Sequence, residues 1–281
     1  MRLTNRNIFR SFNGLNQPTY SATLEEDITM KRIYCYTLLL LVAFSLAACG
    51  GKKAAEETPA VVAQKYFQKG EKQYEEELYD DAIESWEKVR DSYYSPELSM
   101  LAELKIAETY YVLKRYDDAA VAFNAFLEQH PNDYRTPTIL YRLGLCYYEQ
   151  IRPADRDQSY TRKAMETFQT LATRFPNDKN AQEAGYLIQR CKTRLAENDV
   201  HVGTYYLKRK LYKPAITRFE KVLNGFPDYY YRDELYFYLG QAYLGNEEKE
   251  KADAMFNQLF EQFPGSERTE EAKELLEDLA D

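Results

Sequence analysis

Any chemistry done by this chain has to come from a small set of side chains. It has 4 cysteines and 2 histidines in 281 residues. His130 stands in a turn before Pro131 and His201 inside a long helical run, and neither has a partner at ligand spacing. Cys146 and Cys191 fall on separate helical stretches, so no zinc cluster is indicated. A Gly-rich phosphate loop, a G-x-S-x-G elbow and a Cys and His pair placed for nucleophilic attack are all missing from the sequence. Carboxylates abound, but on exposed helix faces they keep a chain in solution. The reading is therefore a protein that is not an enzyme and takes no cofactor or metal. Two features are left. One is Cys49, a thiol directly after the small residues Ala47 and Ala48. The other is a tyrosine series, Tyr74, Tyr111 and Tyr148, recurring every 37 residues, which offers ring stacking and hydroxyl hydrogen bonds.

A 37-residue recurrence implies a repeated unit that carries it. Between Met100 and Pro131, Ile106, Ala107 and Tyr110 share one helical face. Ala119, Phe123 and Phe126 share the next, with Tyr116, Asp117 and Asp118 breaking between them. This resembles a tetratricopeptide repeat, in which Leu-Gly-x2-Tyr on helix A faces Ala-x3-Phe on helix B and a proline closes the unit. Leu239, Gly240, Tyr243, Ala252, Phe256 and Pro264 repeat the pattern almost letter for letter. Gly70, Ala82 and Trp86 make a first copy, with its closing proline displaced to Pro96. Leu143, Gly144, Tyr147, Ala164, Phe168 and Pro176 make a third, with about eight residues inserted between its helices. Val202, Gly203, Tyr206, Ala215, Phe219 and Pro227 make a fourth. The fold class expected is all-α: a superhelical solenoid of about five such helix pairs with a C-terminal capping helix, Glu267 to Leu279.

Composition agrees with a solenoid. The 26 Tyr and 14 Phe supply packing wedges, while 11 Gly and 10 Pro are spread thinly as turn punctuation. A net charge of −8, with no basic stripe, argues against nucleic acid as a partner. Cys146 and Cys191 read as small buried apolar residues, and a disulfide between them is disfavoured because a helix intervenes.

The chain in front of the repeats has its own organisation. Residues 1–29 are polar and aperiodic and precede Met30-Lys31-Arg32, so Met30 reads as the true start. Residues 30–48 then have the parts of a secretory signal: a basic n-region, an apolar run from Thr37 to Leu46, and small residues before a cut. The run is too short for a permanent membrane span. Leu46-Ala47-Ala48-Cys49 resembles the bacterial lipobox, which implies a lipidated Cys49 and, with Gly50 rather than Asp following, passage to the outer membrane. An ordinary signal peptide with a chance cysteine is the plainer alternative. Residues 49–60 read as the anchor and a flexible tether, residues 61–178 as repeats one to three, and residues 179–281 as repeats four and five with the cap.

Helix A of the first repeat is expected from Val61 to Glu77 and helix B from Tyr79 to Asp91. In the third repeat helix A runs from Thr136 to Gln150, and Pro153 with its charged neighbours ends it. From Asn180 to Lys210 no proline interrupts the helical spacing, which reads as a rigid spine joining two sets of repeats. In tetratricopeptide repeats helix A lines the concave surface. Counting from the repeat signatures puts Phe67 and Tyr74, Leu104 and Tyr111, and Tyr141 and Tyr148 on that face. Such a column would take an extended or aromatic-bearing peptide, or its rings would pack between neighbouring helices; the sequence leaves both readings open.

The lipobox, tether and repeats together resemble the BamD family, lipoproteins of the outer-membrane β-barrel assembly machine. Arg156-Asp157 in the insertion, Phe175-Pro176-Asn177 after it, Arg194-Leu195-Ala196-Glu197, and Tyr205-Tyr206-Leu207-Lys208-Arg209 follow the family's pattern in order. The likeness covers about Val61 to Pro264. Lys213-Pro214 departs from it, where members usually carry small apolar residues. The resemblance implies a non-enzymatic scaffold on the periplasmic face of the outer membrane. Its expected partners are the POTRA domain of BamA, the other lipoproteins of the machine, and unfolded β-barrel proteins bearing aromatic C-terminal signals. It also implies a BamA contact at Arg218. The alternative within binding proteins is a CpoB-like repeat protein of the Tol-Pal system. It would call for a coiled-coil segment before the repeats, and none is seen.

Overall fold

The computed structural model describes residues 30–39, 58–92 and 94–279. Residues 1–29, Cys49, the cut site and the tether as far as residue 57 lie outside the described residues, while Pro59 and Ala60, expected in the tether, already belong to the first helix of the repeats. Residues 30–39 are helical and exposed (α1), and this segment belongs to a unit of its own, separate from Thr58 onward. None of the described helices is long and apolar enough to cross a membrane.

From Thr58 the chain is a run of paired helices. The pairs are α2 (Pro59–Glu75) with α3 (Tyr79–Arg90), α4 (Pro96–Val112) with α5 (Tyr116–Gln129), and α6 (Thr136–Tyr148) with α7 (Ser159–Arg174). They continue as α8 (Lys179–Lys208) with α9 (Tyr212–Gly225), and α10 (Arg232–Gly245) with α11 (Lys249–Gln262), closed by α12 (Glu267–Asp278). Each helix packs on the next, and α2 on α4, α6 on α8, α8 on α10 and α10 on α12 pack one repeat onto another. No strand occurs among the described residues. The chain forms the all-α solenoid of helix pairs that its repeats imply.

Local chemistry explains where the helices start and stop. Pro59, Pro96 and Pro137 stand in first turns, where a missing N–H costs nothing. Ser95, Asp178 and Ser266 accept hydrogen bonds from the backbone at the starts of α4, α8 and α12. Pro214 sits in the first turn of α9 for the same reason as the other prolines, so the departure at Lys213-Pro214 does not displace that helix. Four of the A-to-B turns are closed by a non-glycine residue in the left-handed region: Glu77, Lys114, Lys210 and Glu247, with φ between 58° and 65°. In each the next N–H reaches back to a carbonyl of helix A, as Arg115 does to Tyr110 at 2.9 Å.

The core is a series of knobs. Trp86, Phe123, Phe168, Phe219 and Phe256 are fully buried on the B helices, each against a tiny residue of helix A. A Cβ added at Gly144 would lie 2.3 Å from the Phe168 ring, and one at Gly240 would lie 2.6 Å from the Phe256 ring. At these two contacts a bare backbone is what admits helices so close. In the second repeat Ala107, wholly buried, takes the glycine's place. The 30-residue α8 serves two cores. Ala184, Leu187, Ile188 and Cys191 close the third repeat's cluster, and Ala196 and Val200 open the fourth's. It is the spine expected from the uninterrupted spacing. The third-repeat insertion is not a free loop. Gln158, buried, donates to the carbonyls of Pro153 and Arg156, and Asn198 of α8 donates to the carbonyl of Ala154 at 2.7 Å. Cys146 and Cys191 are free thiols in separate core clusters. Burial makes them weaker acids, raising the pKa of Cys146 to about 12 and of Cys191 to about 11.

Candidate concave binding face

The tyrosine column lies on the A helices, one ring per repeat, each four residues after the small residue that meets the B-helix knob. Tyr74 follows Gly70, Tyr111 follows Ala107 and Tyr148 follows Gly144. That spacing puts the ring one turn beyond the knob, on the same face and nearer the turn. All three are half-buried. Tyr74 meets Tyr79 edge-on at 5.2 Å and leans on Trp86, and Tyr111 repeats the arrangement on Tyr116 at 5.3 Å. Tyr148 and Tyr141 both rest on Phe168, at 6.4 and 6.0 Å. Phe67 and Leu104 pack against the first and second repeats' core clusters and keep part of their surface open. Each ring of the column is thus packed against its own repeat and keeps part of its surface exposed.

A cation from the following repeat faces each of the first two tyrosines, and this the spacing did not reveal. Lys105 Nζ is 6.0 Å from the Tyr74 ring centre while holding Glu71 at 2.9 Å. Arg142, again 37 residues on, lies 5.7 Å from the Tyr111 ring centre. In the third repeat the corresponding cation, Arg190 of α8, lies over the Tyr186 ring instead, 5.9 Å from its centre. A signal was present in the sequence, since Lys105 and Arg142 hold the same register as the rings. Only packing between repeats brings that register opposite the preceding tyrosine. Tyr74 and Tyr111 line one cleft of about 100 Å³, together with Glu108, Val112 and Arg142.

The column keeps its hydroxyl protons. Burial raises the pKa of Tyr111 and of Tyr148, and burial with a Glu183 hydrogen bond takes that of Tyr141 to about 12. At neutral pH these are neutral donors beside fixed cations. The pairing suits a partner that brings aromatic rings together with a carboxylate. Among the described residues no group of three or more His, Cys, Asp or Glu is placed to hold a metal ion.

Arg218, the other residue singled out, is on α9. Its Nη1 donates to Asp199 Oδ1 of α8 at 2.7 Å, and Lys221 reaches the second oxygen at 2.6 Å. The guanidinium is therefore already engaged within the chain, with part of its side chain still exposed.

A solenoid of helix pairs with a cation-flanked aromatic strip on its A helices is a tetratricopeptide scaffold, a class that works by presenting an extended surface. The chain belongs to the YfiO family, described as outer membrane lipoprotein, whose profile matches residues 59–255. It is 28% identical over 215 residues to the outer membrane protein assembly factor BamD of Rickettsia prowazekii, covering 76% of this chain and 85% of that protein. The BamD proteins of Caulobacter vibrioides and Pasteurella multocida are each 27% identical to it. The first alignment covers 85% of this chain and 79% of the relative, and the second 71% and 79%. Among solved structures it is similar to the TPR2AB domain of yeast Sti1, at 18% identity and a TM-score of 0.40, covering 79% of this chain and 86% of that one. So loose a likeness adds nothing about the site.

Proposed function

We propose that this chain is a non-enzymatic scaffold of the β-barrel assembly machine, anchored by lipid on Cys49 to the periplasmic face of the outer membrane. Its A-helix strip receives the aromatic C-terminal signals of unfolded barrel proteins. Its C-terminal repeats dock on a POTRA domain of BamA beside the other assembly lipoproteins, with Arg218 at that contact. The observation that carries the reading is the column of Tyr74, Tyr111 and Tyr148, the first two faced by a cation of the next repeat. It occurs in a chain whose family is described as outer membrane lipoprotein and whose relatives are outer membrane protein assembly factors. An aromatic residue followed by a terminal carboxylate is the chemistry such a column complements.

Two measurements test it. A tagged chain would be purified from detergent-solubilised outer membranes and its companions identified by mass spectrometry. A large barrel protein bearing POTRA domains supports the reading, whereas Tol-Pal or peptidoglycan proteins in its place would sink it. In the second, a labelled peptide ending in Phe is titrated against the chain and against Tyr111→Ala. Equal binding to both removes the tyrosine column from the reading.

A further inference from the structure

The strip does not keep its aromatic character to the end of the solenoid. The position four residues after the knob-facing small residue is Tyr74, Tyr111 and Tyr148 in the first three repeats, and Leu207 and Leu244 in the last two. Around those leucines a groove of about 580 Å³ opens between the end of α8, the start of α9, α10 and the cap α12. Its walls are mostly apolar. Leu275 of α12 and Leu279 directly after that helix line it, with Leu279 63% exposed, together with Tyr212 and Tyr238. Gly245 lets the Tyr212 ring lie directly on α10, since a Cβ there would come within 2.2 Å of it. Thr204 and Gln241 supply the polar groups of the floor. Lys208 and Lys210 stand among the lining side chains and no Asp or Glu does. In a chain of net charge −8 that is a local reversal of sign.

We infer that this groove is a second peptide site, whose ligand is a segment with two or three branched aliphatic side chains ending in, or flanked by, a carboxylate. The aliphatic walls match the side chains, and the two ammonium groups, with no competing acid in the lining, match the anion. Aromatic signals belong to the first half of the strip and aliphatic ones to the second. The inference concerns residues outside the tyrosine column and stands whether or not the chain serves barrel assembly.

The probe is a fluorescein-labelled hexapeptide, Ser-Gly-Leu-Ala-Val-Leu, with a free C-terminus, titrated by anisotropy against the full chain in detergent micelles. Micromolar binding is expected. Leu279→Asp and Lys208→Glu change exposed side chains, and circular dichroism checks that each variant is folded. The first should weaken binding about tenfold and the second several-fold. The amidated peptide should bind as weakly to the native chain as the free acid does to Lys208→Glu. Tyr111→Ala should leave the free acid's affinity unchanged, which separates this site from the column. Absence of binding to the native chain, or binding indifferent to Leu279→Asp, overturns the proposal. So does self-association of the chain that Leu279→Asp abolishes in the absence of peptide binding, since the groove would then hold a second copy.

Discussion

Asp199 of α8 is 2% exposed and holds two cations at once, Arg218 at 2.7 Å and Lys221 at 2.6 Å, both from α9. A buried carboxylate is tolerable only when so paired. It ties the spine helix to its partner helix beside the Gly203 and Phe219 contact.

Replacing one of those cations by an acid should therefore act on stability before it acts on any partner. Arg218→Glu is expected to cost about 1.5–3 kcal/mol in urea unfolding, and Arg218→Gln clearly less, because Lys221 still holds the carboxylate. A partner lost equally in both variants implicates the arginine itself. One lost only in Arg218→Glu reports damage to α8 and α9.

The knob contacts make opposite predictions for two glycines. Gly144→Ala places a methyl 2.3 Å from Phe168 and should destabilise by about 1–3 kcal/mol. Gly185, inside α8, has nothing within 4 Å of such a methyl, so Gly185→Ala should stabilise by about 0.5–1 kcal/mol. Chemical unfolding of the pair reads both signs.

Lys114 closes the turn between α4 and α5 at φ 58°. A side chain there is strained by roughly 1–2 kcal/mol, a cost that glycine removes while losing some of it to the greater freedom of its unfolded chain. Lys114→Gly should raise the thermal midpoint by a few degrees. A fall would show that the lysine makes contacts outweighing the strain.

High pH should unfold the chain through its buried thiols and phenols. Cys146 is raised to about 12, Cys191 to about 11 and Tyr141 to about 12, and Tyr229 and Tyr243 are also raised, in each case chiefly by burial. Between roughly pH 9 and 12 the unfolded chain releases protons that the folded one keeps, so stability is intact below pH 8 and falls as pH rises through that window. A thermal midpoint that holds steady from pH 8 to 11 would contradict this. For the same reason iodoacetamide at pH 8 should leave Cys146 and Cys191 unmodified until the chain is unfolded.

The repeat signatures alone determined the helix pairs, the knobs and the tyrosine register, because these obey spacings within one or two turns of a helix. Helix A of the third repeat was expected from Thr136 and begins there. The proline-free run near Asn180 became the single helix Lys179–Lys208. Local periodicity says which face of a helix is apolar. It does not say what stands opposite that face in another repeat. The cations at Lys105 and Arg142, the carboxylate beneath Arg218, the Asn198 bond to the Ala154 carbonyl of the third-repeat insertion and the groove behind Leu207 and Leu244 all join groups from different elements of the chain. Those meetings depend on how far each helix pair is turned against the next, and only the packed tertiary structure decides that angle.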